Sequence, residues 1–213
     1  MGYDAWESFS AKDLPATSEF SKEIFTYLKH DCVVLDLGCG YGRLSGLLSE
    51  QGYLVYGIDK NPNAIKEAKE NPELTDVSFS VQNATKTDFE DRFFNGIILQ
   101  GVLACMGPND RQKTLAECHR ILRPKAVIQI AEFGQTDNKK KYLEHAQETG
   151  EYGTIIIKNP DESDRFQTHN FSKLGLQVLI EEARLEILNY ESPTFKTIHG
   201  NDHPGHTFLC RKS

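Results

Sequence analysis

The sequence predicts a doubly wound α/β fold, in which helices cover both faces of a mostly parallel sheet of seven strands. Three observations lead to this prediction. Five short runs are strand-like: the first, at 32–37, is almost continuously apolar, as suits a strand buried on both faces, and the one at 77–81 alternates between apolar and polar residues. They alternate with helical stretches, a pattern that calls for parallel strands joined by right-handed crossovers. Two more strand-like runs near the end of the chain are joined by a turn-rich link, which indicates an antiparallel hairpin at the sheet edge.

The predicted elements follow one another in a regular order. A helix is expected to begin at Ser18, because Phe20, Ile24 and Leu28 recur at helical spacing. The five buried strands are predicted at residues 32–37, 54–58, 77–81, 94–99 and 126–131. The intervening helices are predicted after residue 43, from Asn61-Pro62 to before Pro72, and over residues 110–122. A last helix over 172–183 precedes the hairpin runs 185–195 and 206–211, which are linked by residues 199–205.

Two parts of the chain stand outside this alternation. Residues 134–171 form a polar insertion with a helix to about Glu148 and a strand at 154–158, and we expect it to be a lid over the site. Residues 1–17 form an N-terminal arm in which Tyr3 and Trp6 either cap the core or fold over a ligand. The length of 213 residues predicts one domain that spans residues 1–213.

Composition and charge narrow the class of protein. The chain has 24 Lys and Arg against 31 Asp and Glu, a net charge of −7, so nucleic acid is an unfavoured partner. Its apolar runs are far shorter than the roughly 18 residues of a membrane span, and residues 1–21 lack the features of a secretory signal. We therefore expect no membrane association and a cytoplasmic location. The five cysteines include no C-x-x-C pair, which favours free thiols over a zinc site.

A glycine-rich turn follows the first buried strand and opens a helix. Its sequence is Gly38-Cys39-Gly40-Tyr41-Gly42, and glycine lets a ligand approach the main chain where any Cβ would collide. Asp59 ends the second strand, where a carboxylate can accept hydrogen bonds from a ribose diol. Together these two features predict a ligand that contains a nucleoside.

The spacing of the glycines in the turn discriminates between ligands that contain a nucleoside. A dinucleotide fingerprint would place its third glycine at position 43, where this chain has Arg43, and the G-K-S/T of a P-loop is absent. NAD and ATP are therefore disfavoured. Asp36 lies two residues before the first glycine, where a carboxylate repels phosphate and can support an ammonium group directly or through water. The ligand that this pattern favours has a ribose and a cationic amino-acid tail.

These motifs resemble those of the class I S-adenosylmethionine-dependent methyltransferases, which have a Rossmann-like fold. The resemblance covers roughly residues 18–133, in the strand-turn motif at 33–42, in Gly57-Ile58-Asp59 and in Ile121-Leu122-Arg123-Pro124 before the fifth strand. It implies that S-adenosylmethionine is the cofactor and S-adenosylhomocysteine the product. The cofactor-binding residues that it implies are Asp36, Gly38, Cys39, Gly40, Gly42, Asp59, Lys60, Asn83, Ala84, Gln100 and Gly101.

Within that set the resemblance assigns the methionine part to the glycine turn and the ribose to Asp59. It places adenine at Asn83 and Ala84, and the sulfonium beside Gln100 and Gly101. The family often has Asp where this chain has Asn83, whose amide oxygen can still accept from the exocyclic amine.

The reaction that we expect is methyl transfer to an O or N atom of a small-molecule acceptor, catalysed by a monomer or homodimer. The stretch Gln100-Gly101-Val102-Leu103 lacks the Asn-Pro-Pro-aromatic signature of DNA, RNA and glutamine methyltransferases. Methylation of a protein or of tRNA, and a non-catalytic domain that binds the nucleoside, remain alternatives.

Several ionisable residues are candidates for the acceptor side. His169 is the proposed general base, because its ordinary pKa lies near neutrality, and a surface histidine that only flanks the last helix is the alternative. Glu132 ends the fifth strand and either binds substrate or positions backbone. Cys39 is interpreted as a spacer and not as a nucleophile. The group His199, Asp202, His203 and His206 has metal-ligating side chains, but its glycines and proline indicate a turn, so no metal is expected.

Overall fold

A central sheet with strand order β3-β2-β1-β4-β5-β10-β8 organises the computed structural model, which describes residues 21–158, 164–197 and 200–213. The first five strands of this order are parallel, and β10 runs antiparallel to both β5 and β8. The short strand β9 pairs with the start of β10. The strands are β1 Val33–Leu37, β2 Leu54–Asp59, β3 Ser78–Val81, β4 Phe94–Gln100, β5 Leu122–Phe133, β6 Thr154–Lys158, β7 Asp164–His169, β8 Leu185–Glu191, β9 Thr194–Lys196 and β10 Asp202–Lys212.

Five α-helices and three short 3-10 helices connect these strands in the described residues. The α-helices are α1 Arg43–Glu50, α2 Pro62–Glu70, α3 Pro108–Ile121, α4 Lys139–Thr149 and α5 Lys173–Glu182. The 3-10 helices are Lys22–Thr26, Pro72–Leu74 and Leu103–Cys105. Asn61 caps α2 as predicted, since its side chain accepts from the backbone N–H groups of Asn63 and Ala64 while Pro62 fills the first turn.

Two apolar clusters cover the two faces of the sheet. Leu35 and Leu37 of β1 belong to a first cluster, which α3 and α5 complete, and Val34 belongs to a second cluster, which α1, α2 and the 3-10 helix Lys22–Thr26 complete. Alternate residues of one strand are thus buried on opposite sides, which is why the strands read as continuous apolar runs. The predicted doubly wound α/β fold is confirmed.

The antiparallel C-terminal hairpin lies at the sheet edge, as predicted. β8 is the edge strand, and β10 lies between β5 and β8. Phe208 and Leu209, consecutive residues of β10, are both buried, one in each cluster, as a central position requires. Residues Asp202 to Gly205, expected in the turn, belong to β10 and pair partly with β9.

Residues 134–171 form an insertion that follows the carboxyl end of β5 and has secondary structure of its own. It contains α4 and a two-stranded antiparallel sheet, β6 with β7, and the sequence prediction missed β7. A parallel bridge between Gly134 and Phe171 closes the insertion at its base.

Other sequence predictions fall at the margins of the structure. The helix expected from Ser18 is a short 3-10 helix, Lys22–Thr26, in the described part of the chain. The N-terminal arm 1–17 and His199 lie outside the described residues. In the part of the chain that the structure describes, no helix has the length and apolar composition needed to cross a membrane.

Candidate active site

The glycine turn joins β1 to α1, and its three glycines have different roles. Gly38, Gly40 and Gly42 all have positive φ, at 77°, 52° and 82°. A Cβ at Gly38 would overlap the side chain of Val102, and one at Gly42 would lie 2.6 Å from Phe79 Cζ, so these two positions are constrained by protein packing. A Cβ at Gly40 would meet no atom of the described residues within 4 Å. Gly40 therefore faces the space in which a ligand can approach the main chain.

Asp59 is held against this turn. One carboxylate oxygen accepts from the backbone N–H of Gly40 at 3.0 Å, and the other accepts from the N–H of Asn61 at 2.8 Å. The backbone N–H groups of Gly38 and Cys39 donate to the carbonyl of Ile58. The structure thus brings together the two motifs, 19 residues apart, that the sequence analysis combined into one site.

Asp36 is buried beneath the turn. Ser45 of α1 donates its hydroxyl to the Asp36 carboxylate at 2.6 Å. Burial raises the pKa of Asp36 to about 6, although the hydrogen bond from Ser45 opposes this shift. Its contact with a ligand ammonium group stays a prediction.

The proposed adenine residues follow β3. Asn83 is exposed, and its side-chain oxygen accepts from both the N–H and the hydroxyl of Thr85 at 2.9 Å. Ala84 packs against the first apolar cluster, and Lys60 is exposed beside Asp59. The oxygen of Asn83 that was expected to accept from adenine thus already accepts two hydrogen bonds within its own turn.

The carboxyl end of β4 has both space and an unsatisfied polar atom. Gly101 has φ +68°, and in the part of the chain that the structure describes a Cβ there would meet no atom within 4 Å. Within the described residues, the buried Oε1 of the preceding Gln100 has no hydrogen-bond partner. Open backbone at Gly40 and Gly101 together with this orphaned oxygen fits a polar ligand that lies across the ends of β1 and β4.

The sequence left two roles open for Glu132, substrate binding and positioning of backbone, and its hydrogen bonds are those of a positioning residue. One of its oxygens accepts from the N–H groups of Val102 and Leu103, at 3.0 and 2.7 Å, and the other accepts from Ala104 at 3.1 Å. The side chain is buried, and burial raises its pKa to about 8 against the effect of these three donors. Glu132 fixes the backbone that follows Gly101.

His169 is the last residue of β7 and is buried, so its interpretation as a surface histidine is wrong. Its Nδ1 lies 2.9 Å from the Thr154 hydroxyl and 3.5 Å from a carboxylate oxygen of Glu151. Its ring packs edge-on against Phe171, and β7 lies against the 3-10 helix Leu103–Cys105 that Glu132 holds. Burial lowers the pKa of His169, although Glu151 opposes the shift.

Comparisons with known proteins agree with this geometry. A sequence profile described as a methyltransferase domain matches residues 28–184. The solved structure of an S-adenosylmethionine-dependent methyltransferase from Methanosarcina mazei superposes with a TM-score of 0.86 at 31% identity, covering 91% of this chain and 98% of that one. The chain belongs to the class I S-adenosylmethionine-dependent methyltransferases. S-adenosylmethionine is therefore its cofactor.

More distant proteins share parts of this methyltransferase. The 2-methyl-6-phytyl-1,4-hydroquinone methyltransferase of Synechocystis is 31% identical over 110 residues, which are 50% of this chain and 34% of that protein. The Burkholderia thailandensis 1,6-didemethyltoxoflavin-N1-methyltransferase shares the fold, with a TM-score of 0.63 at 23% identity over 89% of this chain and 75% of that one. The first curated relatives are matched over only 41%, 32% and 34% of their own length.

Sequence reasoning missed an ion pair between α3 and the insertion of this methyltransferase. The guanidinium of Arg111, in the first turns of α3, donates to both carboxylate oxygens of Glu151 at 2.5 and 3.2 Å, and its Nε donates to the Leu103 carbonyl. Burial alone would raise the pKa of Glu151, but hydrogen bonds from His169, Arg111 and Thr154 hold it well below its ordinary value. The partners are 40 residues apart, and no local motif marks either of them.

The other histidines and cysteines considered as candidates, His203, His206, Cys39 and Cys105, have contacts that indicate a structural role. His203 lies 3.0 Å from the Gly134 carbonyl, and His206 lies 3.1 Å from the Phe171 carbonyl, so both contact the base of the insertion. Among the described residues, no group of three or more His, Cys, Asp and Glu is placed to hold a metal ion. Cys39 and Cys105 are free thiols whose pKa is raised, chiefly by burial, which does not suit a nucleophile.

Proposed function

We propose that this methyltransferase transfers the methyl group of S-adenosylmethionine to an O or N atom of a small-molecule acceptor. The observation that carries the proposal is the open backbone at Gly40 and Gly101 beside the carboxylate of Asp59 and the orphaned oxygen of Gln100. S-adenosylmethionine held there would supply a methyl group activated by its bond to a sulfonium. In-line attack of the acceptor O or N on that carbon would break the C–S bond, with S-adenosylhomocysteine as the leaving group. The protein mainly contributes alignment and exclusion of water.

In this proposal each part of the cofactor has its own set of residues. Asp59 accepts hydrogen bonds from the ribose hydroxyls, with exposed Lys60 beside it. The turn Gly38-Cys39-Gly40-Tyr41-Gly42 lies against the methionine part, with Asp36 beneath it. Asn83 and Ala84 border the adenine, and Gln100 and Gly101 border the sulfonium. The Nδ2 group of Asn83 is the better candidate for adenine, because its oxygen is already bonded to Thr85.

The acceptor side is proposed to lie under the insertion, with His169 as the general base. Thr154 and Glu151 both lie at its Nδ1, and a proton held on Nδ1 toward that carboxylate leaves the Nε2 lone pair to take a proton from the acceptor. The lowered pKa of His169 keeps the ring neutral near pH 7, as a base requires. Glu151, fixed by Arg111, has the orienting role in this arrangement.

A small acceptor is favoured over a macromolecule by charge. Relatives include proteins named as RNA methyltransferases, 37% identical over 68 residues in Aquifex aeolicus, but that match covers 16% of the relative. A net charge of −7 gives little attraction to polyanions. The relatives named for a hydroquinone and for a toxoflavin precursor act on small molecules by name. A cytoplasmic location accompanies the proposal as a prediction from the sequence.

Titration calorimetry tests the cofactor site directly. The wild type should bind S-adenosylhomocysteine, and Asp59→Ala should weaken that binding by about 1.5 to 3 kcal/mol because charge-assisted hydrogen bonds are lost. Asp59→Asn is the matched control, since it keeps one acceptor oxygen and should lose less. Binding of NADH with no binding of S-adenosylhomocysteine would contradict the cofactor assignment. Release of S-adenosylhomocysteine during turnover with a set of small acceptors separates an enzyme from a binding domain.

A further inference from the structure

Two glutamines hold all the unsatisfied buried side-chain atoms in the described part of the chain. These atoms are Oε1 of Gln100 and both Oε1 and Nε2 of Gln129. Gln129 is 0% exposed, in the interior of β5. Buried amides are almost always hydrogen-bonded, because an unpaired one loses its water without replacement. Two such amides in one protein therefore call for an explanation.

The sheet register places the two amides close together. In the parallel pair of β4 and β5, Ile98 lies opposite Gln129 and Gln100 lies opposite Ala131. Ile98 belongs to the second apolar cluster, so strand alternation puts Gln100 and Gln129 on that same face. They are thus two residues apart in register on adjacent strands, and Gln100 adjoins the open backbone at Gly101.

The named neighbours of Gln129 are apolar and offer its amide no hydrogen-bond partner. Its partners across the sheet are Ile98 and Leu209, and Val127 precedes it on the same face, all three in the second apolar cluster. Gln82 offers a contrast, because its Nε2 donates to Ser80 and its Oε1 accepts from the N–H of Asp88. One amide completes a local network, whereas the other faces apolar neighbours.

We propose that Gln129, with the oxygen of Gln100, forms a binding site beside the cofactor for an uncharged molecule with a hydrogen-bond donor and acceptor side by side. A primary amide presents C=O and N–H in one plane, which matches the N–H and C=O edge of a lactam or cis amide. The inference rests on the proposed function. The proposed contacts follow the strand order β2-β1-β4-β5. Asp59 at the end of β2 binds the ribose, the glycine turn after β1 the methionine part and Gln100 at the end of β4 the sulfonium, and Gln129 lies on the next strand, β5.

Charge favours a neutral ligand over an anionic one at this site. Asp36 lies in the same row across the sheet, since Asp36 is opposite Ile98 and Ile98 is opposite Gln129. No Lys or Arg belongs to this row, so an anion would be desolvated without a partner.

Binding of a minimal probe tests the amide site. In the presence of saturating S-adenosylhomocysteine, 2-pyridone should bind saturably, and N-methyl-2-pyridone, which lacks the N–H donor, should bind about fivefold or more weakly. Gln129→Met should remove the difference between the two probes while the affinity for S-adenosylhomocysteine stays unchanged. Ligand-observed NMR measures both affinities. No saturable binding of 2-pyridone, or equal binding of the two probes to the wild type, would overturn the inference.

Thermal stability provides a second test that needs no ligand. Gln129→Met replaces an unpartnered amide by an apolar group of similar size, so it should raise Tm by roughly 2 to 6 °C. The matched control Gln82→Met removes a bonded amide and should lower Tm. A fall in Tm for Gln129→Met as large as that of the control would show that the amide is already satisfied, by a trapped water for example, and would also overturn the inference.

The outcomes separate this inference from the proposed function. Binding of S-adenosylhomocysteine without discrimination between the pyridones leaves methyl transfer in place and removes the amide site. Discrimination between the pyridones, measured without cofactor in a protein that ignores S-adenosylhomocysteine, leaves the amide site in place and removes the methyl-transfer proposal.

Discussion

Gly40 shows at the level of one residue how backbone conformation and ligand space coincide. It combines a positive φ with room for a side chain, whereas the space beside Gly38 is occupied by Val102 and the space beside Gly42 by Phe79. A substitution at Gly40 therefore adds only conformational strain to the protein itself, and its steric effect falls on a ligand.

Gly40→Val should abolish binding of S-adenosylhomocysteine while the protein stays folded by circular dichroism. Gly150 provides a matched control, because it too has positive φ and no atom within 4 Å of a virtual Cβ, but it ends α4 in the insertion. Gly150→Val imposes the same kind of strain and should leave the affinity intact. Calorimetry compares the two, and unimpaired binding by Gly40→Val would mean that the turn does not touch the cofactor.

His169, the proposed general base, is a buried ring with a carboxylate and a hydroxyl at Nδ1. If it accepts the proton of the substrate, His169→Ala should lower turnover by roughly a hundredfold or more with little change in cofactor affinity. The acidic limb of the pH-rate profile should vanish as well. That limb should lie below the ordinary histidine pKa, because burial lowers the pKa of His169. Wild-type turnover by this variant from pH 6 to 8, with an established acceptor, would disprove the assignment.

At the scale of an element, the insertion 134–171 is more firmly attached than a simple lid. Tyr142, Phe166 and Phe171 are buried, while Tyr152 is 44% exposed. Arg111 fastens it to α3 through Glu151, and its guanidinium lies 5.2 Å over the ring of Phe171. Opening the insertion would separate a largely buried ion pair, so the attached position of the insertion is the stable one.

Limited proteolysis tests whether the insertion acts as a lid. Trypsin should cut the free protein within residues 137–165, and cutting should slow when S-adenosylhomocysteine and an acceptor found by the turnover assay are both bound. Glu151→Gln weakens the attachment and should be cut at least about tenfold faster. Equal cutting rates with and without ligands would show that the insertion is not a lid.

At the scale of the whole molecule, the ion pair links stability to pH. Glu151 has a lowered pKa in the folded state, so its contribution to the free energy of unfolding is full above its ordinary pKa near 4.3 and is lost as pH falls below that. At pH 7, Glu151→Gln should destabilise the protein by about 3 kcal/mol, because the Arg111 charge is left buried.

Urea unfolding at a series of pH values measures this difference. The gap between the wild type and Glu151→Gln should be constant from pH 7 to about 5 and should narrow below about pH 4.3. Lys66→Gln, which removes an exposed pair with Glu70, is the control and should shift the curve by less than about 1 kcal/mol. A gap that stays constant into acid would contradict the assigned role of Glu151.

The fold and the cofactor side could be predicted from the sequence alone, because their signals are local. A strand that is buried on both faces must be apolar throughout, and a turn with positive φ under a ligand must be glycine, so residues 33–42 carry their own interpretation. Asp59 follows from the same logic, since the parallel order brings the carboxyl ends of β1 and β2 to one edge.

The contacts of the insertion and of the last strands were decided by tertiary structure. Arg111 and Glu151 meet across 40 residues, β7 places His169 in the interior, and β10 enters the sheet between β5 and β8. The oxygen of Gln100 and the amide of Gln129 became notable only once packing showed that no hydrogen bond in the described chain reaches these buried atoms. Local patterns encode which residues are buried in strands and where the chain must turn. Contacts between distant segments depend on how the helices pack on the sheet, and no local pattern in a single sequence records that packing.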